Sequence, residues 1–182
     1  MKAISVRQDG TPDGFVPPIA WRVDVSPDGV TRIAVSAGPK VLQVFMALAG
    51  AMQEPLGVLW VRMVNRQKGK QLGQPERFVG VEKPKERVLE VVGRCNALLG
   101  LDGRGQLWLR GGFREQLVLD ELGVIYCYPD DPSFRDRLQE LGLEERAHVN
   151  MEDRDYVKVN FSAAADAEEE LLIRELGLAL SA

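Results

Sequence analysis

The fold is decided by residues 21–35, which read Trp21-Arg22-Val23-Asp24-Val25, then Ser26-Pro27-Asp28-Gly29-Val30, then Thr31-Arg32-Ile33-Ala34-Val35. Trp21, Val23 and Val25 alternate with Arg22 and Asp24, the period of two that sends successive side chains to opposite faces of a strand. Pro27 fixes one backbone angle and Gly29 tolerates the left-handed region, so Ser26-Pro27-Asp28-Gly29 is a turn. Thr31, Ile33 and Val35 then resume the alternation. The stretch is a β-hairpin with one apolar face, and such a face has to be buried against other elements.

Those elements follow in the chain. Gly38-Pro39 opens a helix, because proline is tolerated at the first helical position, and Val41, Leu42, Phe45, Leu48 and Met52 recur at helical spacing until Pro55. Residues 56–64 form an apolar strand. Residues 65–84 are polar and rich in Gly and Lys, with only Leu72, Phe78, Val79 and Val81 as anchors, and read as a long mobile loop. Pro84 starts a second helix whose stripe runs from Val88 through Val92 and Cys95 to Leu99, stopped by Gly100.

Three short strands, 106–110, 116–119 and 124–128, make a meander separated by Gly111-Gly112 and by Asp120-Glu121-Leu122-Gly123. Asp131 caps a third helix begun by Pro132 and ended by Gly142. Tyr156, Val157 and Val159 suggest a last strand, and residues 168–180 a last helix with three acids in its first turn, where the helix dipole favours them. Upstream of the hairpin, residues 2–7 read as a strand and the proline- and glycine-rich 8–18 as a loop.

The expected architecture is a single α+β domain over 1–182, mainly antiparallel sheet with about four helices. Its element order reads βββαβα twice, and Gly29-Val30 to Pro39 lines up with Gly123-Val124 to Pro132. Halves 1–100 and 101–182 are therefore either an internal duplication or a string that an α+β chain of this length gives by chance.

A chain of 182 residues with 45% hydrophobic content buries a core without disulfides or metals. Its most apolar segment, 41–52, is broken by Gln43 and Gly50 and falls short of the ~20 apolar residues of a membrane span. The first seven residues alternate like a strand and lack the apolar run of a secretory signal, so a cytoplasmic location is expected. Cys95 and Cys127 fall among apolar neighbours and are expected as free, buried thiols. The net charge of −4 hides an asymmetry: residues 1–114 carry 17 Lys/Arg against 10 Asp/Glu, and residues 115–182 carry 6 against 17. Separate lobes would make a dipolar molecule, whereas interleaved halves would screen one another.

Few catalytic patterns are present. His148 is the one histidine, and the two cysteines stand 32 positions apart, so no cofactor or metal site is expected. No serine lies in a nucleophile elbow and there is no phosphate-cradling Gly-rich loop. Asp120, Asp130 and Asp131 bracket the strand 124–128, and their carboxylates either converge as an acid–base or Mg²⁺ site or serve turns and a helix cap. Eight basic residues lie in the tract 62–87, but Phe78 is its one aromatic and the pI of about 5.2 opposes a polyanion, so nucleic-acid binding is not the expected role.

The aromatics of the meander offer more. Alternation puts Trp108 and Arg110 on one side of their strand, and Tyr126 and Tyr128 on one side of theirs. Trp, Tyr and Arg carry much of the energy of protein interfaces, so a face bearing these four is the candidate binding surface, unless a helix covers it and makes them core. The functional expectation is a non-catalytic protein-binding module, of the bacterial inhibitor or immunity type, with an acidic C-terminal half and room for a homodimer contact. The alternatives are a carboxylate-dependent enzyme using Asp120 and Asp131, and a nucleic-acid contact through 62–87.

Overall fold

The computed structural model describes residues 2–65, 70–112, 114–158 and 162–181, with the backbone alone at 70–73. The described elements are β1 (Ala3–Ser5), β2 (Ala20–Val25), β3 (Thr31–Ser36), α1 (Val41–Ala51), β4 (Gly57–Asn65), β5 (Lys70–Val79), α2 (Lys85–Gly93), β6 (Gly105–Gly111), β7 (Glu115–Leu119), β8 (Val124–Tyr128), α3 (Pro132–Glu140), β9 (Glu144–Glu145), β10 (Tyr156–Lys158), α4 (Ala163–Glu175) and β11 (Ala179–Leu180). Nine strands form one sheet in the order β11-β5-β4-β6-β7-β8-β3-β2-β9, and β1 pairs with β10 as a separate ribbon. Pairing is antiparallel throughout, save between β2 and β9. The chain is an α+β protein.

The deciding hairpin forms, with its apolar face buried at Trp21, Ile33 and Val35 and left exposed towards the turn at Val23 and Val25. Trp21 lies opposite Val35 and Val23 opposite Ile33. Gly29 takes φ +83°, the left-handed value that closes the turn at little cost for glycine. The meander and the entries to α1 and α3 also follow the reading above, with Pro39 inside a 3-10 turn ahead of Val41 and Asp131 capping α3.

The four helices lie on one face of the sheet. Val41, Phe45 and Leu48 of α1, Val88 and Val92 of α2, Phe134 and Leu138 of α3, and Leu172 of α4 pack against Trp21, Ile33, Trp60, Leu107, Leu109, Leu117, Ile125 and Cys127 in one core. Burying a large apolar side chain contributes roughly 1.5–3 kcal/mol, so this helix-side core is what holds the layers together. Both cysteines are free and buried. No helix among the described residues is long and apolar enough to cross a membrane.

Three elements differ from their sequence reading. Residues 65–84 are not a loop throughout, because β5 occupies Lys70–Val79 and pairs with β4. Its hydrophobic pattern is weak because an inward position holds Glu76, whose charge is met by Arg62 at 2.8 Å, while that guanidinium lies over the Phe78 ring. The second helix stops at Gly93, and a π-helical turn at Ala97–Leu101 follows; there the N–H of Leu98 is taken by the carboxylate of Glu168. The last helix begins at Ala163, capped by Ser162, and ends at Glu175. Glu168, Glu169 and Glu170 therefore sit in its middle, where Glu168 and Glu169 serve as hydrogen-bond acceptors and not as charges for the dipole. Val159 lies outside the described residues.

The two sequence halves share one sheet. β3 pairs with β8, β4 with β6, β5 with β11, and β1 with β10, so each half contributes strands beside those of the other. The boundary at 100 and 101 falls inside the π-helical turn. The acidic residues of 115–182 are thus interleaved with the basic ones of 1–114, the arrangement in which they screen one another.

Candidate functional site

The face of the sheet opposite the helices carries the candidate residues. Register fixes a row across it: Val79 opposite Leu59, Leu59 opposite Trp108, Trp108 opposite Val118, Val118 opposite Tyr126, and Tyr126 opposite Ala34. The neighbouring row runs from Gly57 to Arg110, Gln116 and Tyr128. Trp108, Arg110, Tyr126 and Tyr128 therefore share one face, and the helices lie on the other.

Part of this face is covered by the 3-10 turn Met151–Asp153, which reaches it through Glu152. Tyr126 is 6% exposed, donates its hydroxyl to Glu152, and lies under the guanidinium of Arg32 at 4.0 Å. Burial above all, then the nearby Asp120 and Glu152 carboxylates, pushes its phenol far above the ordinary range. Tyr128 is half-buried and accepts from Arg32 at 3.0 Å. Arg22 completes the cover by pairing with Glu152 and Asp153 and donating to the carbonyl of His148. These two tyrosines are engaged with the protein itself.

Trp108 and Arg110 are placed differently. Trp108 is half-buried, its indole N–H donating to Gln106 at 3.0 Å, which leaves the ring to form a wall. Arg110 is exposed, and among the described residues its guanidinium has no hydrogen bond or ion pair. Together with Leu59, Val79, Gly57, Gly80, Glu82 and Gln116 they line an open hollow of about 370 Å³, within the size range of small ligand pockets. Leu59, Val79, Glu82 and Gln116 were not singled out by sequence. Leu59 lay hidden in an unbroken apolar run, and Val79 and Glu82 in a segment read as loop.

The acidic candidates separate. Asp120 and Asp131 stand beyond opposite ends of β8, which spans about 17 Å at ~3.3 Å per residue. Asp120 Oδ1 accepts from the N–H of Leu122 at 2.9 Å and of Val124 at 2.7 Å. Burial foremost, with the neighbouring Glu121 charge, pushes its carboxyl up, while burial pushes the Lys2 ammonium beside it down. Lys2 donates to the backbone carbonyl of Asp120 at 2.8 Å and closes the N-terminal ribbon onto the sheet. Asp130 pairs with Arg135, and Asp131 accepts from the N–H of Ser133. Each carboxylate has a turn, pair or cap to serve, and among the described residues no cluster of three or more His, Cys, Asp or Glu could hold a metal.

The basic tract is likewise committed in part. Arg62 is tied to Glu76 and Glu169, Lys85 donates to the carbonyls of Gly50 and Met52 at the end of α1, and Arg87 pairs with Glu90 and Glu175. Arg66 and Lys68 lie outside the described residues. Comparison with protein-family models, with curated proteins and with solved structures finds no match for this chain.

Proposed function

We propose that the protein is a non-catalytic protein-binding module whose contact surface is the helix-free face of the sheet around Trp108 and Arg110. The observation that carries this reading is the hollow itself. It brings a half-buried indole ring and an unpaired guanidinium together with Leu59 and Val79, and nothing in the described chain fills it. Aromatic and arginine side chains set in concave, partly apolar surroundings dominate binding energies at protein interfaces. The acidic residues of 115–182 are dispersed through the shared sheet, so recognition rests on this face and not on an acidic lobe.

The test is capture from a lysate of the source organism by the wild type, by a Trp108→Ala/Arg110→Ala variant, and by Arg137→Ala, which alters a half-buried residue of α3 on the helix side. The reading expects one stoichiometric partner held by the wild type and by Arg137→Ala and lost by the double variant. Equal capture by all three removes this face from consideration. A second copy of the chain as partner would show as a doubled mass in light scattering that the double variant lacks.

A further inference from the structure

We infer that the hollow beside Trp108 receives the C-terminal residue of a protein partner, one with a hydrophobic side chain, whose free carboxylate is held by Arg110. This inference rests on the reading that the helix-free face is the contact surface, and it names what that surface recognises.

Three features of the hollow converge on that ligand. Its floor is stripped of a side chain at Gly57; a methyl group added there would sit 3.7 Å from Arg110 Cβ and 3.9 Å from Glu82 Cγ, so the stems of these two residues flank it. Its walls are Trp108, Leu59 and Val79, apolar surface that an aliphatic or aromatic side chain covers with a gain of roughly 25 cal/mol per Å². Its polar groups are Arg110, Glu82 and Gln116, none with an ion pair or side-chain hydrogen bond among the described residues.

Their chemistry selects a chain end. A guanidinium holds a carboxylate through two parallel hydrogen bonds. Glu82 opposes a second negative group, such as an internal acidic side chain, but accepts a backbone N–H, and the Gln116 amide can serve a backbone carbonyl. A C-terminal residue presents a carboxylate, an N–H and one side chain within the span of a single residue. An internal acidic residue brings its charge without the adjoining backbone end, and a lysine or arginine would oppose Arg110.

The test is a titration followed by the indole ¹⁵N–¹H signals. Trp21 and Trp60 are fully buried, so the half-buried Trp108 is the reporter. The probes are an N-acetylated tripeptide Ala-Ala-Phe with a free C-terminus, the same peptide amidated, and an amidated Ala-Glu-Phe-Ala. The free-carboxylate peptide is expected to shift the Trp108 signal saturably. The amidated form should bind about tenfold more weakly, the equivalent of ~1.4 kcal/mol, and Arg110→Gln should lose the same factor for the free form only. Gly57→Val, which fills the floor, should weaken all binding. Equal binding of free and amidated peptides, preference for the internal glutamate, or no shift with any probe overturns the inference. If the capture experiment succeeds while every peptide fails, the face binds a partner but not through a chain end.

Discussion

The carboxylate of Glu169, midway along α4, accepts the indole N–H of Trp60, in the centre of β4, at 2.7 Å. The same oxygen takes Arg62 at 2.8 Å, and the other oxygen takes Arg104 at 3.3 Å. Arg104 is buried and also engages Asp102 and Asp166, so α4 is clamped by charge as well as by packing to β4 and to the residues that lead into β6. Removing one member of a buried ionic group strands the others. Glu169→Ala is expected to lower unfolding free energy by about 3–5 kcal/mol in urea titrations. A loss below about 1 kcal/mol would mean that the clamp is replaced by water at little cost.

Asp120 sets a pH dependence. Its folded-state carboxyl is raised to about 7, burial being the first cause, above the ordinary value of 3.8. The protonated form is the one that folding favours, so its contribution is full below about pH 3.8 and is lost as pH rises through about 7. Asp120→Asn retains an oxygen to accept from Leu122 and Val124 but cannot ionise. Denaturation at a series of pH values should show a shallower decline between pH 4 and 7 in the variant than in the wild type. Parallel curves would show that Asp120 titrates as an ordinary carboxyl.

Asp131 and Ser162 cap α3 and α4, accepting from the N–H of Ser133 and of Ala165. Each cap replaced by alanine should cost about 1 kcal/mol of stability. The two losses should add, because the sites serve separate helices. An Asp131→Ala variant of unchanged stability would reopen a chemical role for that carboxylate.

Tyr126 and Arg110 share a face but differ in what they do for the fold. Tyr126→Ala opens a buried site and should destabilise by about 3–5 kcal/mol, while Arg110→Ala, at an exposed and unpaired residue, should stay within about 0.5 kcal/mol. Thermal unfolding of both variants checks the contrast. A stable Tyr126→Ala would mean that the cover provided by Glu152 and Arg32 is loose.

Much of this was legible in residues 21–35 and in the meander, where strict alternation and Gly or Pro turns leave one solution. The shared face of Trp108, Arg110, Tyr126 and Tyr128 followed from the same alternation. What sequence could not show was what lies above that face. Tyr126 is covered by Glu152, 26 positions away, and Lys2 reaches Asp120 across 118 positions. β5 was hidden for a similar reason, since Glu76 is tolerated on an inward face through Arg62 and Arg62 in turn through Glu169 of α4. Patterns report local periodicity, whereas these pairings depend on elements brought together only by the complete fold. The hollow is of that kind too, assembled from β4, β5, β6, β7 and the segment after β5.

The most direct test of the helix-free face as contact surface is site-specific photocrosslinking in the source organism. A benzophenone amino acid would replace Val79, which is 46% exposed on the rim of the hollow, or Arg137, on α3 at the opposite side. A discrete adduct formed from position 79 and absent from position 137 is the predicted result. An adduct from position 137 alone would place the contact on the helices and contradict the account.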